Sequence, residues 1–489
     1  MANSTEHFFT KRNLVNVLDE CLNKTLGEVD INHVFDKTIS NPKITGIAGD
    51  VIEQSVLGYP ADNRQEPDLN IDGVKTELKT TGIRYSKKEK QKKYEAKEPM
   101  SITAVSPDKI VTELFNNSRF WHKLEHLLFV YYLYDSATTV TASGYANFFI
   151  KGYEFFEFDE SDKNILEKDW TTVRDFIAEL QNNYADYESQ YPRLSSELRN
   201  KLLYIDTAPK WPNKPRFRLK RSVITAIVQE HFGDKLEQLP GRYNSYSDIE
   251  RKCHELTLLN SGKTIKQLIQ FYNIPDKSIC KNIGEKIVVR MFDGTANKMQ
   301  KIKLFSKIGM YGKTIVVTQK GLRTEDMKLF CIDFEEITNP DITFEDSSFR
   351  DFFLNNQMLC IVFEEPSADA VFEDNKFLGF KQLIFDDDFI EKHVKTVWDK
   401  IRILIFNNEL KDVVSIDKKT GKPRINKKTG TVKSAPNFPK SSEGLIFVRG
   451  GGIDSTQKTE IVNNIKMYKQ FVWIKGSYIA DKLTKIEFL

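Results

Sequence analysis

Asp68, Glu77 and Lys79 are the residues of this chain whose types and spacing could cut a phosphodiester. They lie in PDLNIDGVKTELKT, which begins at Pro67. Two carboxylates brought to one point hold a hard, oxygen-seeking cation such as Mg2+. The cation polarises the scissile phosphate and acidifies a bound water, while a lysine beside it orients that water and offsets developing charge. Asp72-Gly73 is a strong two-residue hairpin signal, so the residues before it form one strand and Val74 to Thr80 the next. Residues two apart in a strand face the same way. Glu77 and Lys79 therefore share a face, Leu78 points into the core, and the hairpin brings Asp68 alongside them. A carboxylate, a spacer and a lysine also describe any solvated strand of alternating charge, and the three residues alone leave that reading standing.

The elements around them belong to a long chain. At 489 residues it should hold two or three domains. Hydrophobic residues at 40% and charged ones at 29% are those of a soluble globular protein. No apolar run reaches membrane-spanning length, and MANSTEHFFTKRN lacks the apolar core of a signal peptide, so the expected compartment is cytoplasmic. Cys21, Cys253, Cys280, Cys331 and Cys360 show no paired metal-ligand spacing and read as free buried thiols. The net charge of +3 averages over uneven segments. Arg84 to Lys97 carries seven basic residues against Glu89 and Glu95, Lys210 to Arg221 carries six and no acid, and Lys418 to Lys433 carries seven and no acid. A charge run is usually a solvated loop, but three of them fit faces turned toward a phosphate backbone. KKTGKPRINKKTG, from Lys418, reads as a basic hairpin or loop and is a candidate DNA clamp of the second domain.

Apolar spacing predicts a helix over Thr10 to Asn23, a second over ITGIAGDVIEQSVLGY carrying Glu53, and helices over Ile165 to Leu180 and Ser222 to Phe232. LLFVYYLY, Leu127 to Tyr134, reads as a buried central strand, with Tyr131 and Tyr132 in the core. His122 and Lys123, just before it, read as surface residues on spacing alone. Gly450-Gly451-Gly452 lacks a following GK[ST] and reads as a flexible turn.

From about residue 250 the order of elements returns. GDVIEQSVLG from Gly49 matches GEKIVVRMFDG from Gly284, KTELKTTG from Lys75 matches KTIVVTQKG from Lys313, and ILEKDWTTVRD from Ile165 matches FIEKHVKTVWD from Phe389. LNKTLGEV, EPMSITAVSPDKI, LLYI and RFRLKRSVI recur in the same order. The chain thus divides into a domain over 1–235, a linker over 236–250 and a second copy over 251–489. In this alignment Ile315 stands opposite Glu77, Val317 opposite Lys79 and Val288 opposite Glu53, and the place of Asp68 falls near Ser306. The second copy should be folded and catalytically dead.

GDVIEQSVLG, PDLNIDGVKTELKT, HKL at His122 to Leu124 and FRLKRSVITAIVQEHF from Phe217 together resemble the MutH mismatch-repair endonuclease. The resemblance is stronger to the MutH-like type II restriction enzymes that cut at GATC and carry a degenerate second MutH copy. It implies an α/β protein of two tandem restriction-endonuclease-like domains, each a mixed β-sheet flanked by α-helices. It further implies Asp68, Glu77 and Glu53 as Mg2+ ligands, Lys79 as the catalytic lysine, and Lys123 as a lysine beside the active site. Pro209 and Lys210 fall in the loop that reads bases in the major groove, and Arg216, Arg218 and Lys220 extend that DNA-binding run. The family's arginine before the proline is Ala208 here, and its tyrosine after the matching phenylalanine is Arg218. The implied partners are double-stranded DNA, a second chain or a looped site on that DNA, and a cognate methyltransferase. Two other readings remain at this point: a nicking endonuclease of mismatch-repair type, and a non-catalytic DNA-binding regulator.

Overall fold

The computed structural model describes residues 7–60, 66–86, 93–136, 140–207, 215–275, 282–323, 325–345, 347–417, 419–426, 430–452 and 457–489. They form two compact units. The first takes in the described residues up to Ser136, those from Val140 to Lys252, and Phe292–Gly309; the second takes in Cys253–Met291 and Met310–Leu489.

The strands of the first unit are β1 (Phe8–Phe9), β2 (Leu69–Ile71), β3 (Val74–Tyr85), β4 (Tyr94–Ala96), β5 (Met100–Ala104), β6 (Leu127–Leu133), β7 (Phe149–Phe156), β8 (Ile205–Asp206) and β9 (Arg216–Leu219). A mixed sheet runs β1-β2-β3-β6-β7 with β4 added to β3, and a smaller sheet runs β5-β9-β8. β6 reads LLFVYYL and is buried along its whole length, as a strand covered on both faces must be. The predicted hairpin forms: Asp72 and Gly73 take φ of 50° and 92°, and Ile71 faces Val74 across a two-residue turn. Gly73 N–H donates to Asn70 Oδ1 at 2.9 Å, which fixes that turn.

Helix α1 (Lys11–Cys21) starts where Thr10 Oγ1 accepts the Asn13 N–H at 3.2 Å, and buries Leu14, Leu18 and Cys21 at helical spacing. Helix α2 (Ile47–Val51) runs on into a π turn, Ile52–Val56. It lies so close to β3 that a Cβ on Gly49 would sit 3.2 Å from Thr80 Oγ1. Helix α3 (Glu160–Asn183) is capped by Asp159, and α4 (Arg221–His231) closes the unit.

Phe292–Gly309 lies in the second half of the sequence and packs in the first unit. Phe292, Met299, Ile302, Phe305 and Ile308 are all buried. Lys307, 1% exposed, places Nζ 2.6 Å from Asp162 Oδ2, and the Tyr204 hydroxyl donates to the other oxygen at 2.8 Å.

In the second unit the strands are β10 (Met310–Val317), β11 (Met327–Cys331), β12 (Gln357–Glu364), β13 (Lys376–Leu383), β14 (Asp412–Val414), β15 (Ser434–Pro436), β16 (Ile446–Gly451), β17 (Glu460–Val462), β18 (Ile465–Met467) and β19 (Lys469–Ile474). β10 pairs parallel with β12, and β12 antiparallel with β13, as β3, β6 and β7 do. The sheet β11-β19-β16 repeats β5-β9-β8.

The pairing corrects the residue matches between the copies. Both central strands carry a register shift against their antiparallel neighbour, between Tyr131 and Tyr132 in β6 and between Val362 and Phe363 in β12. Aligning the shifts sets Leu127 with Met358. Their parallel partners are Glu77 and Tyr311. Tyr311, not Ile315, therefore stands in the place of Glu77, and Lys313, not Val317, in that of Lys79. Gly284 confirms the register, because its Cβ would meet Thr314 Oγ1 as that of Gly49 meets Thr80 Oγ1. A slip of four residues keeps the in-out alternation of a strand, so hydropathy could not detect it. Among the described residues the β10-β12-β13 sheet has no counterpart of β2, the strand that Asp68 precedes.

The three glycines expected as a flexible turn are structural instead. Gly450 and Gly451 lie in β16 opposite Gln470 and Lys469, and a Cβ on Gly451 or Gly452 would strike the Phe471 or Tyr468 ring. Cys21, Cys253, Cys331 and Cys360 are free thiols, and Cys280 lies outside the described residues. Among the described residues no helix is long and apolar enough to cross a membrane.

Candidate active site

The β2–β3 ladder pairs Leu69 with Thr76, so extending it by one residue sets Asp68 across from Glu77. Leu78 N–H donates to Asp68 Oδ2 at 3.1 Å and ties the carboxylate to that strand. Glu77 begins the parallel pairing with β6 at Leu127, and its N–H donates to the His126 carbonyl at 2.9 Å. Its side chain is only 1% exposed.

Two ammonium groups meet this buried carboxylate. Lys79 Nζ donates to Glu77 Oε1 at 2.7 Å, as their shared face of the strand requires. Lys123 Nζ donates to both Oε1 and Oε2 at 2.9 Å. Lys123 is the C-cap of the short helix Arg119–His122, whose start is fixed by Ser118 Oγ accepting the Trp121 N–H at 3.1 Å. Phe120 and Trp121 are buried and root that helix in the unit. The surface reading of Lys123 taken from spacing alone is thus replaced by a buried pairing that sequence distance concealed.

Asp68 responds to this setting. Burial pushes its carboxyl up to about 6, the charge of Glu77 pushes the same way, and Lys79, Lys123 and the Leu78 N–H pull against them. Two acidic groups close enough to repel, the ionised form of Asp68 disfavoured by burial, form a donor set that a divalent cation would stabilise. The pair therefore fits such an ion. The expected set of three carboxylates is not assembled: among the described residues no three His, Cys, Asp or Glu groups converge as a metal site. Glu53 lies half-buried on the Ile52–Val56 π turn, which its sequence spacing from Asp68 could not locate.

The expected DNA-binding run divides. Pro209 and Lys210 lie outside the described residues. Arg216 is exposed at the start of β9. Arg218 is committed elsewhere, its Nε and Nη2 donating to the two oxygens of Asp206 at 2.8 and 3.1 Å. Lys220 is 6% exposed and donates to the Leu202 carbonyl from inside the unit, close to buried Asp169. Neighbouring acceptors, Asp206 for Arg218 and the Leu202 carbonyl for Lys220, decide where these two side chains point. The basic run from Arg84 also turns inward at its ends. Arg84 pairs with Glu95 at 3.0 Å and Lys93 with Asp234 at 2.7 Å, while residues 87–92 lie outside the described set.

Sequence reasoning missed a basic recess that borders the Glu77 cluster. Lys123, Lys109, Arg119 and Arg216 line it against the acid Glu113, with Phe120, Trp170 and Phe217 among its apolar residues. The space measures about 240 Å³. Its basic residues come from separate segments, so no charge run announced it.

Residues 57–169 match the family described as "DNA mismatch repair enzyme MutH". This stretch contains Asp68, Glu77, Lys79 and Lys123. The chain is also 25% identical to the type II restriction enzyme Sau3AI of Staphylococcus aureus, over 523 aligned positions that take in 98% of this chain and 99% of that one.

Proposed function

We propose, from the match of residues 57–169 to the MutH family and the full-length likeness to a type II restriction enzyme, that the chain is a MutH-like type II restriction enzyme that cuts double-stranded DNA at a short specific site. The observation that carries this reading is the Glu77 carboxylate, buried beside Asp68 and bracketed by Lys79 and Lys123. A buried acid with two ammoniums is a poor solution for stability alone, since desolvating three charges costs more than an apolar set of the same volume. It is a good solution for binding a phosphate and offsetting the charge that develops on it.

Asp68 and Glu77 hold Mg2+ in this reading, and the bound ion supplies Lewis-acid polarisation of the phosphate and a more acidic water. Lys79, on the strand with Glu77, orients the attacking water. Lys123 neutralises charge on the phosphate from the side of the basic recess, and Arg119 and Arg216 in that recess steer the adjoining backbone. GATC is the site implied by the likeness to GATC-cutting relatives, with a methyltransferase protecting the host sequence. The second unit, with Tyr311 where Glu77 would be, is a copy that binds DNA and does not cut it. One active site per chain then cuts one strand, and a double-strand break needs two chains or two successive nicks.

Incubating the purified chain with unmethylated plasmid in Mg2+ tests this. Fragments whose ends map to one short sequence, and no cutting in EDTA, are expected. Cutting only after mismatch-recognition proteins are added, or none under any condition, would overturn it.

A further inference from the structure

The basic segment of the second unit contains a small duplication. Ile416 to Pro423 reads IDKKTGKP and Ile425 to Val432 reads INKKTGTV, identical at five of eight positions. The described ends of the two copies pair alike. Ile416 bridges Pro423 and Ile425 bridges Val432. Asp417 N–H donates to the Lys422 carbonyl at 2.9 Å, and Asn426 N–H to that of Thr431 at 2.8 Å. Each turn closes on a glycine with left-handed φ, Gly421 at 67° and Gly430 at 66°. Both fingers stand on one stalk, β14 paired with β15, rooted by buried Leu410 and Phe438. Lys418 and residues 427–429 lie outside the described set.

Nothing described between Lys411 and Lys433 is buried, so these residues add nothing to the core. It leaves Ile416 and Ile425 at 49% and 57% exposure and displays Lys419, Lys422 and Lys433 to solvent. From Lys411 to Asn437 there are eight basic residues and two acids in a chain whose net charge is only +3. Both acids are used locally. Asp417 Oδ1 accepts the N–H groups of Lys419 and Thr420 at 2.9 and 3.0 Å, with Arg424 3.7 Å from its other oxygen. Asp412 accepts the Ser434 hydroxyl at 2.7 Å.

We propose that the described basic face of this ribbon, with Lys419, Lys422 and Lys433, is a docking surface for duplex DNA. Exposed lysines at 419, 422 and 433, with both nearby acids engaged locally, suit a polyanion such as a phosphodiester backbone. A two-stranded ribbon fits the major groove, where exposed isoleucines can meet thymine methyl groups. The high positive charge opposes pairing with a second copy of the same module. The inference rests on the reading of the chain as a DNA nuclease, and adds the surface by which its second unit holds the substrate.

Binding of the full chain to a fluorescent 30-base-pair duplex, with EDTA present so that no cleavage occurs, tests it. Compared with wild type, a Lys419→Glu, Lys422→Glu, Lys433→Glu variant should bind at least tenfold more weakly. Its salt dependence, as log K against log salt, should be shallower by about 3, near 0.9 for each phosphate contact removed. A second variant, with residues 416–432 replaced by Asn-Gly, should show the same loss with an unchanged thermal unfolding curve. Wild-type affinity and slope in both variants would overturn the proposal. A chain that binds through the ribbon yet never cuts in Mg2+ would overturn the nuclease reading and leave this one intact.

Discussion

Lys123 Nζ stands 2.9 Å from both oxygens of Glu77, although the two residues are 46 positions apart and belong to different elements. Lys79 reaches Oε1 of the same carboxylate from two positions along the same strand, at 2.7 Å. Glu77 is thus the hub of the site: it orients both lysines and balances their charge where water is largely excluded.

Glu77→Gln should therefore fail in two ways. Cleavage should fall at least a thousandfold. The folded chain should lose about 3 kcal/mol, because two ammoniums remain without their buried anion. Cleavage assays and denaturant unfolding measure the two effects separately, and a variant that still cuts would remove Glu77 from the mechanism.

Asp68 makes stability depend on pH and on divalent ions. Its folded carboxyl, at about 6, lies above the ordinary 3.8, so the folded chain holds the proton more tightly than the unfolded one. The stability this proton confers is full below pH 3.8 and is lost as pH rises through 6. In EDTA at pH 7.5, Asp68→Asn should unfold at a higher temperature than wild type, by an amount worth up to about 3 kcal/mol. Adding Mg2+ or Ca2+ at pH 7.5 should raise the wild-type Tm and leave that of the variant nearly unmoved. Equal responses of the two proteins to the ion would count against Asp68 as a ligand.

Gly284 and Thr314 should be tightly coupled. A Cβ at 284 would lie 2.1 Å from Thr314 Oγ1, against 3.2 Å for the corresponding pair of Gly49 and Thr80. Gly284→Ala should cost about 1–3 kcal/mol from overpacking, and Gly49→Ala less. Thr314→Ser keeps the hydroxyl, so only Thr314→Ala should restore Gly284→Ala. Chemical denaturation of the four variants checks this, and no rescue by Thr314→Ala would show the contact to be relaxed by backbone movement.

Lys307 should matter for the first unit, although it lies beyond the expected domain boundary. It is buried with Asp162, and Lys303 Nζ lies 3.5 Å from the same oxygen. Lys307→Ala should cost about 3–5 kcal/mol by leaving a buried carboxylate poorly paired. Combining Lys307→Met with Asp162→Leu should recover most of the loss. Unfolding curves read this directly, and wild-type stability in Lys307→Ala would mean the pair is solvated in solution.

Local chemistry made part of this protein legible in its sequence. Asp72-Gly73 dictated the hairpin, the period of two put Glu77 and Lys79 on one face, and an unbroken apolar run made β6 the buried strand. The doubled order of elements was legible too, since each element repeats its own pattern. What the sequence could not carry was register and partner choice. A four-residue slip preserves strand alternation, so only the bulges in β6 and β12 and the glycine contacts on Thr80 and Thr314 paired Glu77 with Tyr311. Charge density marked Arg218 and Lys220 for DNA, yet Asp206 and the Leu202 carbonyl claimed them. Lys123 became part of the site only because the helix Arg119–His122 delivers it to Glu77. The residue types and hairpin geometry of the site were thus determined by the sequence, through rules that act over a few residues. Which charges meet was decided by the tertiary structure, because burial makes pairing compulsory and the fold alone determines which acceptor is within reach.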